Sequence, residues 1–187
     1  MKLIKNIVIL AFIVSIFTAC SDTDDPEVIN EEEVITTVRA TLVPQNGGTE
    51  ITLESRDLDG DGPNAPVISV SGNFDASTTY DATLKILNET ESPADDITLE
   101  ILEEDEEHQF FFSFTNDIAT ATYNDQDSNG DPIGVHFNLL TGTANTGSFT
   151  ITLRHEPNKS ADNVNTGNIT NAGGETDVQV TFEITVN

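Results

Sequence analysis

The stretch Asp177 to Val186, DVQVTFEITV, decides the fold. Val178, Val180, Phe182, Ile184 and Val186 alternate with Asp177, Gln179, Thr181, Glu183 and Thr185. A strict period of two gives a strand with one face in a core and one in water. Working back from it, the chain after about Val34 consists of short runs of the same kind, separated by Gly, Asn, Asp and Pro. The other predicted strands are Val34 to Val43, Glu50 to Ser55, Val67 to Val70, Thr79 to Leu87, Ile97 to Leu102, His108 to Thr115, Ile118 to Tyr123, Gly134 to Leu140 and Gly147 to His155. No segment sustains a helical period. Asn46-Gly47-Gly48 between the first two strands favours a tight hairpin, since both residue types tolerate positive φ. So many short strands imply one all-β domain, 34–187, an antiparallel β-sandwich that is Ig-like in the loose sense. It has neither tryptophan nor a cysteine pair of the antibody type.

Two of these strands carry histidine at an end. In Glu100 to Phe114, EILEEDEEHQFFFSF, an acidic block passes into the most aromatic strand, and His108 shares a face with Phe110, Phe112 and Phe114. In Gly147 to Pro157, GSFTITLRHEP, His155 continues the face of Phe149, Ile151 and Leu153. One histidine opens its strand and the other closes its own. If the two strands are antiparallel neighbours, His108 and His155 meet at one rim of the core. Two imidazoles with a carboxylate make a workable zinc or copper site, and Glu156 and Glu107 are the carboxylates adjacent in sequence. The same residues also fit a hydrogen-bonded rim with no ion, because two histidines 47 residues apart carry no metal motif. His136, between Val135 and Phe137, points to the wet face.

Two loops imitate calcium sites. Asp57, Asp59 and Asp61 alternate in DLDGDG, and Asp125 and Asp127 begin the near-repeat DQDSNGD. Neither has the acidic twelfth residue of an EF-hand, where Ile68 and His136 stand instead. Asp, Asn and Gly are also the ordinary residues of turns between strands, so a structural turn and a calcium loop both remain open.

The N-terminus reads as an export signal over residues 1–19. Lys2 and Lys5 precede the apolar run Ile7 to Phe17, too short to span a bilayer, and Phe17-Thr18-Ala19-Cys20 closes it with small residues. This resembles a bacterial lipobox, which implies lipidation of Cys20, the only cysteine, and a membrane held through the N-terminal lipid. Residues 20–33, with Glu31-Glu32-Glu33, read as an acidic tether. The start Cys-Ser-Asp-Thr-Asp-Asp looks like the acidic export signal of Bacteroidetes lipoproteins, which implies the outer face of the outer membrane. Without residues 1–19 the chain keeps five basic residues against thirty-three acidic ones, a balance of −28. Such a charge repels phosphate backbones, so nucleic acid is excluded as a partner. Catalysis finds no motif: there is no Gly-x-Ser-x-Gly elbow, no phosphate-cradling glycine loop and no free cysteine once Cys20 is lipidated. Tyr80 and Tyr123 are the only tyrosines, which leaves little for stacking sugars.

The segments Asn30 to Val38 (NEEEVITTV), Arg56 to Pro63 (RDLDGDGP), Leu87 to Thr90 (LNET), Glu106 to Phe111 (EEHQFF) and Leu153 to Lys159 (LRHEPNK) together resemble a group of small Flavobacteria-type lipoproteins. Members are often labelled type 1 periplasmic-binding-domain proteins, a label that implies a two-lobed α/β fold of about twice this length and conflicts with the β pattern here. The resemblance implies an accessory binder for an outer-membrane TonB-dependent receptor. Two functions follow: a surface module that captures a transition metal or metal complex at the histidine rim, or a structural or adhesive module with weak calcium loops.

Overall fold

A computed structural model describes residues 33–60 and 63–187, so the signal segment, Cys20, most of the acidic tether and Asp61 lie outside it. Among the described residues nine strands form two antiparallel sheets: β1 (Thr37–Pro44), β2 (Ile51–Arg56), β3 (Val67–Val70), β4 (Thr79–Leu87), β5 (His108–Phe114), β6 (Ala119–Tyr123), β7 (His136–Thr141), β8 (Asn145–His155) and β9 (Glu175–Val186). The larger sheet has the order β3-β2-β1-β4-β7-β6 and the smaller β5-β8-β9. The chain is an all-β sandwich, as the alternating runs predict.

Alternation explains which faces meet. Val38, Ala40 and Leu42 of β1, Tyr80, Ala82, Leu84 and Ile86 of β4, and Phe137 and Leu139 of β7 are buried from one sheet. Phe110, Phe149, Ile151, Leu153, Phe182, Ile184 and Val186 are buried from the other, in the same core cluster. Phe112 stacks on Phe137 at 4.1 Å between ring centroids, and Phe114 on Phe149 at 4.6 Å. Such pairs contribute about 0.5–1.5 kcal/mol beyond the area they bury. Gly47 and Gly48, at φ of 78° and 141°, make the β1–β2 hairpin where Asn-Gly-Gly places it.

Ile97 to Leu102, expected as a strand, is instead the short helix α1 (Ile97–Glu103). Ile97, Leu99 and Ile101 satisfy period two, but Ile97, Thr98 and Ile101 also satisfy helical spacing, and these three are the buried ones. Leu99 and Leu102 face outward. The helical choice is fixed by β4: the Thr98 hydroxyl accepts from Ile86 N at 2.8 Å and donates to Ile86 O at 3.2 Å, taking the place of a neighbouring strand. Lys85 and Asp96 form an ion pair across the same junction.

The N-terminal boundary also moves. Glu33, expected as the last tether residue, belongs to the folded unit, with only 8% of its side chain exposed. Three residues on, Thr36 is pinned by Thr36 N to Leu87 O at 3.0 Å and by Asp57 N to Thr36 O at 2.7 Å, which fixes the lead into β1 against the rim.

Candidate metal centre

β5 and β8 are antiparallel neighbours in a register that pairs His108 directly with His155. Their rings meet edge to face, centroids 4.7 Å apart and planes at 71°. Beyond the last pair, Glu156 N donates to Glu107 O at 2.7 Å, so the ladder runs one step past the histidines. His108 is fully buried and His155 nearly so.

Around the pair stand two carboxylates that sequence reasoning did not include. Glu33 Oε1 lies 3.1 Å from His108 Nε2 and Glu33 Oε2 4.0 Å from His155 Nδ1. Asp177 Oδ1 lies 3.9 Å from His155 Nδ1. One ligating atom from each of Glu33, His108, His155 and Asp177 falls within 4.8 Å of all the others. Asp177 reaches this position through an irregularity in β9. Leu153 pairs with Val178 but Arg154 pairs with Thr176, so Asp177 is the extra residue of a bulge. A bulge re-aims a side chain, and here it brings to the histidines a carboxylate that strict alternation assigns to the wet face. The glycines before the strand are the only sequence hint. Gly174 has φ of +65°, and a Cβ there would collide with the His155 carbonyl oxygen and lie 2.8 Å from Glu156 C.

The protonation of His108 follows from its partners. Nδ1 lies 3.1 Å from the Glu104 carbonyl, an acceptor only, so Nδ1 carries a proton. In a neutral ring, Nε2 is then a bare lone pair facing a carboxylate. Without an ion, a proton shared between the ring and the carboxylate is what makes this contact attractive. Burial pushes His108 toward neutrality, but the Glu33 carboxylate and the Glu104 carbonyl outweigh it and hold its pKa above the usual histidine value. In return the His108 ring, outweighing burial, holds Glu33 below the usual carboxylate range. The charge pairing is nonetheless poorly directed, because neither His108 Nε2 nor Glu33 Oε2 makes an aligned hydrogen bond.

A cation held between these groups would accept the His108 Nε2 lone pair and the Glu33 carboxylate together. Ligands at zinc–nitrogen and zinc–oxygen distances of about 2.0–2.1 Å in a tetrahedron sit about 3.3 Å apart. With one atom from each of the four residues lying within 4.8 Å of the others, inward shifts of up to about 1.5 Å would match that spacing. Two neutral imidazoles and two carboxylates also cancel the charge of one divalent ion. A ligating histidine that gives its other ring N–H to a backbone carbonyl is the usual outer support of such a centre, and Glu104 supplies that carbonyl.

The carboxylates predicted from sequence gather at His155 alone. Glu107 and Glu156 are exposed and form a second group with His155, again with ligating atoms within 4.8 Å of one another. They sit outside the buried four. The predicted calcium residues are engaged as turn acceptors: Asp125 takes Gly134 N at 2.7 Å and His136 N at 2.6 Å. Asp127 Oδ1 takes Asn129 N at 3.0 Å and Asp131 N at 2.9 Å, while its Oδ2 takes the Lys159 ammonium at 2.8 Å. In the first loop Asp57 accepts from Asp59 N, and Asp59 accepts from Asn64. Among the described residues none of these four joins a group of three ligating side chains. His136 is exposed, as its place beside Val135 and Phe137 predicts. Tyr80 is buried, and Tyr123, half-buried, donates its hydroxyl to Phe110 O at 2.8 Å. No family model, curated protein or solved structure matches the chain.

Proposed function

We propose that the chain is a non-catalytic binding module that holds one divalent transition metal ion at Glu33, His108, His155 and Asp177. The observation that carries this reading is His108 itself: a fully buried imidazole with Nδ1 committed to a carbonyl and Nε2 aimed at a carboxylate without an aligned hydrogen bond. Zinc is the best chemical fit, because two nitrogen and two oxygen ligands in a closed four-coordinate setting suit an ion with no geometric preference of its own. Copper(II) prefers a square-planar arrangement, and calcium needs six or more oxygens. Lipidation of Cys20 would anchor the module to the outer membrane, facing the cell surface, and an outer-membrane receptor of the TonB-dependent kind is the partner to which such a module would pass metal.

Thermal unfolding of the full chain, stripped of metal and then titrated with zinc, copper, nickel or calcium, tests the reading. Stabilisation by zinc that disappears in His108→Ala/His155→Ala supports it. An unchanged melting temperature with all four ions refutes it and leaves the four residues as a buried ion-pair cluster.

A further inference from the structure

We infer that Glu107, Glu156 and His155 form an outer station through which the metal ion enters and leaves the buried site. This inference rests on the reading of the inner four residues as a metal centre.

The inner ligands are hidden: His108 is fully buried, and Glu33, His155 and Asp177 expose less than a tenth of their side chains. An ion arriving from solvent must therefore make its first contact elsewhere. The outer trio is the group that shares a ligand with the inner one, and that ligand is His155. Its Nδ1 is the atom facing Glu33 and Asp177. The buried His108 Nε2, which lacks an aligned hydrogen bond, points to a ligand in the inner centre that the outer trio adjoins.

The backbone builds the station. The hydrogen bond from Glu156 N to Glu107 O holds the two exposed carboxylates at one level of the sheet, directly beyond the histidine pair. Glu156 has φ of 48°, in the left-handed region, and the following chain returns past it at Gly174, where a side chain would not fit. The position of the carboxylate is thus set by the same turn that seats His155. Two exposed carboxylates and one imidazole leave open coordination positions for water, so the ion can shed its hydration shell in steps instead of all at once. Glu103, Glu104, Asp105 and Glu106 precede the station in the chain and add to the negative potential that draws a cation toward it.

The experiment is stopped-flow loading of zinc onto the metal-free full chain, with release measured into a chelator, comparing wild type, Glu107→Gln/Glu156→Gln and Glu33→Gln/Asp177→Asn. Losing the station should slow loading by about tenfold or more, the scale on which charged clefts raise association rates. Release should slow by a similar factor, leaving equilibrium affinity nearly unchanged, because a route lowers the barrier in both directions. The inner variant should instead lose affinity. Wild-type loading and release rates in the outer variant would overturn the route while leaving the metal centre intact. An affinity loss in the outer variant as large as in the inner one would also overturn it, by making Glu107 and Glu156 ligands of the bound ion. Absence of zinc binding by wild type would overturn the centre and the route together.

Discussion

His108 and His155 are the terminal register partners of strands β5 and β8, with their rings edge to face at 4.7 Å. A strand that opens on histidine and a strand that closes on histidine place two imidazoles side by side only when they run antiparallel. The pair is therefore set by topology, and each ring's role by what the third and fourth residues do to it.

The first prediction follows from the proposed ligand set. Zinc at a hundred times its dissociation constant should stabilise the native chain by about 2.7 kcal/mol. Each of Glu33→Gln, His108→Ala, His155→Ala and Asp177→Asn should remove most of that gain, whereas His136→Ala should keep it. Melting temperature against zinc concentration checks this.

The metal-free chain should respond to pH in the opposite sense from the loaded one. His108 has a folded pKa raised above its unfolded value near 6.5, so its contribution is fully present below that value and is lost as pH rises through the folded pKa. Glu33 has a folded pKa below 4.5, so its contribution is present above 4.5 and is lost as pH falls through the folded value. Stability of the empty chain should thus be greatest between these limits. Zinc-dependent stabilisation should grow with pH, because protons compete for the ring nitrogens. Denaturant unfolding from pH 4 to 9, with and without zinc, separates the two curves.

Deleting Asp177 should restore regular pairing in β9, since Thr176 and Val178 already sit opposite Arg154 and Leu153. The fold should persist and the zinc response vanish. Circular dichroism with zinc titration checks both halves of this outcome.

How much of this was legible in the sequence depends on distance along the chain. The alternation in Asp177 to Val186 reveals a strand because the information lies within ten residues, and Asn46-Gly47-Gly48 reveals its hairpin for the same reason. The histidine pair was legible from one added assumption, that two strands are neighbours. Glu33 and Asp177 were not. Glu33 is 75 residues from His108 and ends an acidic run whose composition belongs equally to a solvated tether. Asp177 is concealed by a bulge, which shifts one residue out of register without any change in the alternating pattern after it. Helix α1 is hidden because Ile97 to Leu102 satisfies both periods, and the Thr98 hydroxyl at Ile86 decides between them.

Lys159 and Asp127 make a second buried contact worth testing, their side chains 5% and 1% exposed. Burial pushes the Asp127 carboxyl up, but the bonds from Lys159 and from the backbone of Asp131 and Asn129 outweigh it and hold its pKa below the usual value. Lys159→Met should cost up to about 3–5 kcal/mol, since it leaves a buried carboxylate without its counter-ion and only backbone donors to hold it. Lys159→Met combined with Asp127→Asn should recover part of the loss. Urea unfolding of the three variants measures it.

Gly174→Ala should reach the histidines indirectly. A methyl there collides with the His155 carbonyl and demands φ of +65° from a residue that resists it. The variant should melt lower than wild type and bind zinc more weakly, since the displaced strand end carries His155. Comparison with Gly60→Ala, where a Cβ meets nothing within 4 Å, separates the effect of crowding from that of positive φ alone.

β1 lies in the interior of the larger sheet, paired with β2 from Thr37 to Leu42 and with β4 from Thr37 to Pro44. A mechanical load applied through the chain preceding Glu33 therefore enters the domain at an interior strand, which cannot be unzipped from an edge. Before the load reaches β1 it meets Glu33, whose carboxylate touches His108 in the opposite sheet. An ion bound there would act as a rivet, dividing the pull between both sheets of the sandwich, so the loaded domain should withstand greater force than the empty one when drawn from its N-terminal side.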